Sequence, residues 1–217
     1  MNEQAPKPRR GCFFYGCITS VVLLVLLLGA LLIGLHYVKK MVNSFTDTQP
    51  MALPTLQMSQ PEIENVKQRF EAFRTEVREQ RATKPLVLTS DEINALIASG
   101  KGQQTLQGKV YVRLEGDQLK SEVSLPLEDV GLRMFKGRYL NGSATFNLAL
   151  NNGTPFVTAQ SVQVKGKPLP ETYMQKIRKE NLAAALLNDP DAVAVLQRLQ
   201  AVQVKDGKLV IEPKQPQ

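Results

Sequence analysis

From Cys12 to Val38 the chain carries no formal charge, and its centre reads "VVLLVLLLGALLIGLHYV". No other feature constrains the protein as strongly. An apolar helix of about 20 residues spans the hydrocarbon of a bilayer. There the backbone must satisfy its own hydrogen bonds, which a helix does. A cleaved signal peptide is the rival, but its apolar region is usually about 7–15 residues and ends at a small-x-small site. Here the run is longer and passes into "HYVKKMVNS". We therefore expect an uncleaved signal anchor over residues 12–38, preceded by a basic tail, 1–11.

Charge sets the expected orientation. Lys7, Arg9 and Arg10 precede the span and Lys39 and Lys40 follow it. Together with the amino terminus, the bias places the N-terminus in the cytoplasm and the C-terminal body outside, in the periplasm or at the cell surface of a bacterium or in the lumen or exterior of a eukaryote. Phe13, Phe14, Tyr15 and Tyr37 suit the two interfaces. Of the formal net charge of +7, residues 1–40 supply +4, from five basic residues against Glu3. The body is close to balanced, so no nucleic-acid partner is expected.

The whole cysteine complement, Cys12 and Cys17, lies at the start of the run. A bacterial lipoprotein needs its cysteine after the apolar stretch. A zinc site wants four ligands, and only two soft ones exist. Interface residues without chemistry are the preferred reading, with S-acylation the alternative in a eukaryote. The spacing Ala30-x-x-x-Gly34 could seat a helix–helix contact, as many spans do.

Beyond the span, residues 39–60 read as a linker, with prolines and no periodicity. "Ser59-Gln-Pro-Glu62" opens a helix as a capping box, with Met58 and Ile63 as its staple. Ile63, Val66, Phe70, Phe73 and Val77 then recur at 3-4-3-4 spacing, making one apolar stripe on a helix over 61–82. Such a stripe serves either the domain's own core or a partner. Barely two heptads favour the core.

The remainder, 83–217, reads as one α+β domain. "PLVLTSDEINALIASG" gives a short strand, a Thr89/Glu92 capping box and a short helix. Val110, Val112 and Leu114 alternate with Lys109, Tyr111 and Arg113; a turn at Gly116-Asp117 leads to a second strand. "YLNGSATFNLALNNGTPFVTAQSVQV" is a hairpin turning at Asn152-Gly153. Its alternation breaks near Ser161, where a bulge is expected. "LPETYMQKIRKENLAAALLN" and "DPDAVAVLQRLQ" read as helices, and "VQVKDGKLVIEP" as a closing hairpin. With no βαβ alternation, we expect an N-terminal transmembrane helix, then an antiparallel curved sheet packed with several helices.

The phrases "LTSDEINALI", "GKVYVRLEGDQL…VSLPL", "YLNGSATFNLALNNG", "VKGKPLPETYMQKI" and "VQVKDGKLVIEP" together resemble the YpmS-like family of single-pass extracytoplasmic bacterial proteins, over roughly residues 86–213. The resemblance implies an anchored envelope protein. More distantly, the chain is similar to tubular lipid-binding domains, in which a curved sheet wraps a helix; its size allows at most half such a tube. Neither likeness carries over a functional residue.

Catalytic signatures are missing. The single His is His36, in the anchor, and hydrolytic triads need a base beside the nucleophile. There is no GxSxG, P-loop or HExxH. Asp91-Glu92 and Asp189/Asp191 read as helix caps before acid–base or metal groups. We therefore expect no enzyme, no cofactor and no metal.

Two basic groups stand out: Arg133, Lys136 and Arg138 around Met134 and Phe135, and Lys165, Lys167, Lys176, Arg178 and Lys179. In a tethered protein they are candidate contacts for membrane headgroups, against an ordinary solvated face. The sequons at Asn141 and Asn152 read as turns first. Two functions follow. One is an anchored module binding a lipid or another apolar ligand between sheet and helix. The other is a scaffold subunit, a homo- or hetero-oligomer of an envelope complex joined through the span and the 63–77 stripe.

Overall fold

A computed structural model describes residues 12–100, 106–128 and 133–215, with side chains from residue 26 onward and excepting Arg133. The basic tail 1–11 lies outside the described residues. The chain forms two compact units, residues 1–44 and 45–217.

In the first unit, helix α1 (Cys12–Phe45) runs for 34 residues. Residues Leu26–Phe45 have a mean hydropathy of 1.3, long and apolar enough to cross a membrane. Leu27, Leu32 and Ile33 are each at least 60% exposed. A helix that is apolar on the sides it exposes is compatible in length and composition with a bilayer span. The helix continues past Val38 through residues 39–45, the first part of the expected linker. Nothing there breaks it: no Gly or Pro occurs between Gly34 and Pro50.

The second unit is α+β, with two antiparallel sheets. Helix α2 (Gln60–Arg78) starts where the Glu62 carboxylate accepts from the Ser59 N–H and O–H, at 2.7 and 2.6 Å. Strand β1 (Leu86–Leu88) leads into α3 (Ser90–Ser99), capped by Thr89 with Glu92. Then come β2 (Val110–Glu115), β3 (Gln118–Pro126), a 3-10 turn at Arg133–Phe135, β4 (Tyr139–Asn151), β5 (Thr154–Val164) and β6 (Lys167–Pro168). Helix α4 (Glu171–Ile177), a 3-10 turn at Ala184–Asn188, α5 (Pro190–Leu196), β7 (Leu199–Lys205) and β8 (Lys208–Pro213) complete the chain. Strands β2-β3-β4-β5-β6 form an open five-stranded sheet; β1-β8-β7 form a second of three.

The apolar stripe closes the core between α2 and the small sheet. Val66, Phe73 and Val77 are buried with Leu86, Leu88 and Leu199, while Phe70 packs against them part-buried. Ile63 is part-buried at the start of the helix. The folded domain thus occupies most of the stripe itself. Arg198 seals the end of α2, its guanidinium donating to the carbonyls of Val77 and Arg78. Val112 and Leu114 of β2 join Val204 in a second cluster beneath Ile93 and Ile97 of α3.

Local chemistry sets the strand ends. Asn152 and Gly153 turn the β4–β5 hairpin with φ of 50° and 80°. Gly153 has no substitute there, since a Cβ would lie 2.8 Å from the Gln197 backbone. Thr145 pairs with Ser161 but Phe146 with Ala159, so Gln160 is the extra residue of a bulge beside Ser161.

Both long edges of the five-stranded sheet are closed by asparagine side chains. At β2, the buried Asn94 amide donates to Val112 O at 2.7 Å and accepts from Val112 N–H at 2.8 Å. Ser90 Oγ accepts from Leu114 N–H two residues on. At β5, Asn181 donates to Pro155 O at 2.8 Å and accepts from Val157 N–H at 3.1 Å. A carboxamide offers the same donor and acceptor as a peptide, so each replaces a missing strand. Asn181 also accounts for a difference from the expected long helix over 169–188. Helix α4 stops at Ile177, and the chain straightens so that Leu182 N–H can donate to Val157 O at 2.9 Å. The sequon residue Asn141, expected in a turn, lies inside β4.

Candidate functional site

The two faces of the five-stranded sheet differ by the period-2 alternation of its strands. Cross-strand register places Val123 opposite Gly142, Leu125 opposite Leu140, Ala144 opposite Val162, Phe146 opposite Ala159 and Leu148 opposite Val157. This is one apolar face, continuous over three strands. Near β2 and the end of β4 it belongs to the two cores, through Val112, Leu114 and Leu150. Elsewhere it is half-buried. Val123, Leu125, Leu140, Ala144, Val162 and Val164 are all part-buried, and none belongs to either core cluster. Ala159 and Met174 of α4 are buried at 1% and 3% exposure, which marks where α4 does cover the sheet.

The opposite face is polar, and the chain that follows α1 is fastened to it. Asp47 exchanges both backbone hydrogen bonds with Tyr139, each 2.8 Å. Asn141, 7% exposed, is the hub. Its Nδ2 donates to Asp47 Oδ2 at 3.0 Å and Gln49 O at 2.9 Å. Its Oδ1 accepts from Met51 N–H at 3.1 Å and Ser124 Oγ at 2.8 Å. Lys165 Nζ sits 3.0 Å from Asp47 Oδ1 and donates to Thr46 O at 3.3 Å. Arg138 donates to the Thr46 hydroxyl and carbonyl. Residues 46–51, assigned to the linker by composition, therefore form a clasp. Gly142 gives β5 room beside it, since a Cβ there would lie 2.7 Å from Gln163 O.

Burial pushes the Asp47 carboxyl up, but hydrogen bonds from Lys165 and Asn141 and the charges of Lys165 and Arg138 outweigh it and hold it below its ordinary value. Glu92 behaves alike: burial raises it, and the Thr89 N–H and Arg69 lower it further than that. A carboxyl depressed in the folded state stabilises fully above its unfolded pKa. That contribution is lost as pH falls through the folded value. The melting temperature of the full chain in detergent is therefore expected to hold from pH 7 to about 5 and to fall below about pH 4. Asp47→Asn should flatten part of that fall.

The predicted basic residues divide by role. Arg138 and Lys165 hold the clasp. Arg178 is paired with Glu171 at 2.5 Å and donates to Gln160 O on the β5 edge. Lys136, Lys167, Lys176 and Lys179 are exposed. Arg133 opens the 3-10 turn before β4. The two groups meet only in part: the clasp brings Arg138 and Lys165 to Thr46, whereas Arg178 lies further along β5. Composition gave no sign of the bond between Asn141 and Asp47, which joins residues 94 apart in the chain.

The acidic pairs are spent on helix ends. Asp189 Oδ1 accepts from the N–H groups of Asp191 and Ala192 at the start of α5. No cluster of three or more His, Cys, Asp or Glu side chains that could hold a metal occurs among the described residues. The arrangement offers an apolar surface and a polar fastening, both suited to binding. Compared with protein-family models, with curated proteins and with solved structures, the chain matches none.

Proposed function

We propose that this is a single-pass, membrane-anchored, non-enzymatic protein. Its extracytoplasmic domain receives the acyl part of a lipid on the apolar face of the five-stranded sheet. The observation that carries this is the half-buried apolar strip outside both core clusters, formed by Val123, Leu125, Leu140, Ala144, Val162 and Val164. A contiguous apolar surface left outside the core is a binding surface by the usual economy of soluble domains. The membrane supplies the ligand, because the chain reaches Thr46 only eight residues after Val38. The cytoplasmic N-terminus rests on the basic residues before the span. The bacterial envelope setting rests on the resemblance to YpmS-like proteins.

The stripe of α2 supports a scaffold function poorly, since Val66, Phe73 and Val77 face the domain's own core. Partners of the scaffold kind would have to use the span.

The test is photocrosslinking. The full chain is placed in nanodiscs containing a phospholipid with a diazirine in its acyl chain, and adducts are mapped by peptide. Val162→Glu, which puts a charge on the strip, serves as the control.

A further inference from the structure

Four separate pieces of chain meet where the polypeptide arrives from the anchor. Phe45 packs edge-on against Tyr173 of α4, ring centroids 6.2 Å apart. Thr46 takes hydrogen bonds from Arg138, which ends the loop before β4, and from Lys165, in the β5–β6 turn. Asp47 pairs with Tyr139 at the first residue of β4. This end of the domain therefore presents the 134–137 loop, the 165–167 turn and the start of α4 together.

What these pieces expose is amphipathic. Met134 is 48% and Tyr173 50% exposed, so two large apolar side chains stand out at this end of the domain. Lys136 and Lys167 are exposed beside them, and neither has a carboxylate partner among the described residues. The acids nearby are largely engaged: Asp47 by Lys165 and Glu171 by Arg178. Glu122, which lines the same recess as Asp47 and Lys165, lies 3.7 Å from Arg113, and Glu128, two residues past β3, is exposed. Apolar tips flanked by unpaired lysines match a bilayer surface, with the side chains entering the acyl boundary and the ammonium groups on anionic headgroups. Chain length makes that surface reachable, since only six residues separate Val38 from Phe45.

We infer that this end of the domain is a membrane-contacting platform, in which Met134 and Tyr173 dip into the interface and Lys136 and Lys167 bind anionic lipid headgroups. Arg138 and Lys165 hold the platform's segments in place. The inference stands whether or not the sheet carries a lipid.

The chain has no Trp, so a single introduced indole reports its own surroundings. Met134→Trp is compared with Leu187→Trp. Leu187 is 43% exposed and follows Asn181, which borders the Pro155 end of β5, opposite the Lys165 end. Full-length variants are placed in nanodiscs of phosphatidylcholine with phosphatidylglycerol, with and without lipids brominated near the glycerol. Expected for position 134 are a blue-shifted emission, loss of most intensity to the brominated lipid, and protection from iodide. Lys136→Glu with Lys167→Glu should reverse these changes, and position 187 should show none of them. Iodide quenching at 134 with no effect of bromine would overturn the inference. So would equal bromine quenching at 134 and 187, which would mean the domain lies on the membrane by another face.

Discussion

Phe73→Ala is expected to destabilise the α+β domain by about 3–5 kcal/mol, the usual loss when a buried phenyl ring is removed and a cavity remains. Phe73 is 7% exposed and sits between Val66 and Val77 on the face of α2 that meets β1 and β7. A domain of this size has a total stability of about 5–15 kcal/mol, so the variant should sit near the edge of folding. Hydrogen exchange reads the effect locally: amides of β1 and β8, paired from Leu86–Ile211 to Leu88–Leu209, should lose most of their protection. A stripe that served a partner would behave otherwise. Its truncation would leave exchange in the isolated protein unchanged and weaken association only.

Asn94→Ala should cost about 2–4 kcal/mol although it removes only a small polar group. The carboxamide is the partner of both the N–H and the C=O of Val112, which is itself 7% exposed. Leaving a buried backbone group without a partner costs about 1–3 kcal/mol, and here there are two. Ser90→Ala, which frees only the Leu114 N–H, should cost about 1 kcal/mol. Denaturant unfolding of the detergent-solubilised chain separates the two values. The Asn94 variant should also self-associate at concentrations where the parent stays dispersed, because an uncovered edge strand is a template for pairing. Equal stability of the two variants would show that the edge is satisfied in some other way.

Much of this architecture is written locally in the chain. The capping box at Thr89, the turns at Asn152-Gly153 and Asp206-Gly207, and the broken alternation beside Ser161 each depend on neighbours within a few residues. Each appears where those neighbours place it. The α2 stripe is legible for the same reason, as a period of 3.6 along one helix. The clasp is different. Residues 46–51 have no periodicity, because their order comes from Asn141, Ser124 and Lys165, which contribute from strands far away in sequence. Asn94 and Asn181 look like ordinary polar residues within helical stretches. Their function as strand substitutes depends on which edge they meet, and only the tertiary fold decides that. The strip on the five-stranded sheet falls between these cases. Its alternation is plain in the sequence, but how far the helices cover it is not, since α4 ends earlier than its composition suggests.

The central claim is that the strip takes up an acyl chain, and mapping of acyl-diazirine adducts on the full protein in nanodiscs tests it most directly. Adducts within the apolar helix up to Val38 are expected in any case and serve as the internal standard. The account predicts additional adducts on peptides of β3, β4 and β5, centred on Val123, Leu140, Ala144 and Val162, and their loss in Val162→Glu while those of the span persist. Adducts confined to the span, with β3–β5 unlabelled, would contradict it.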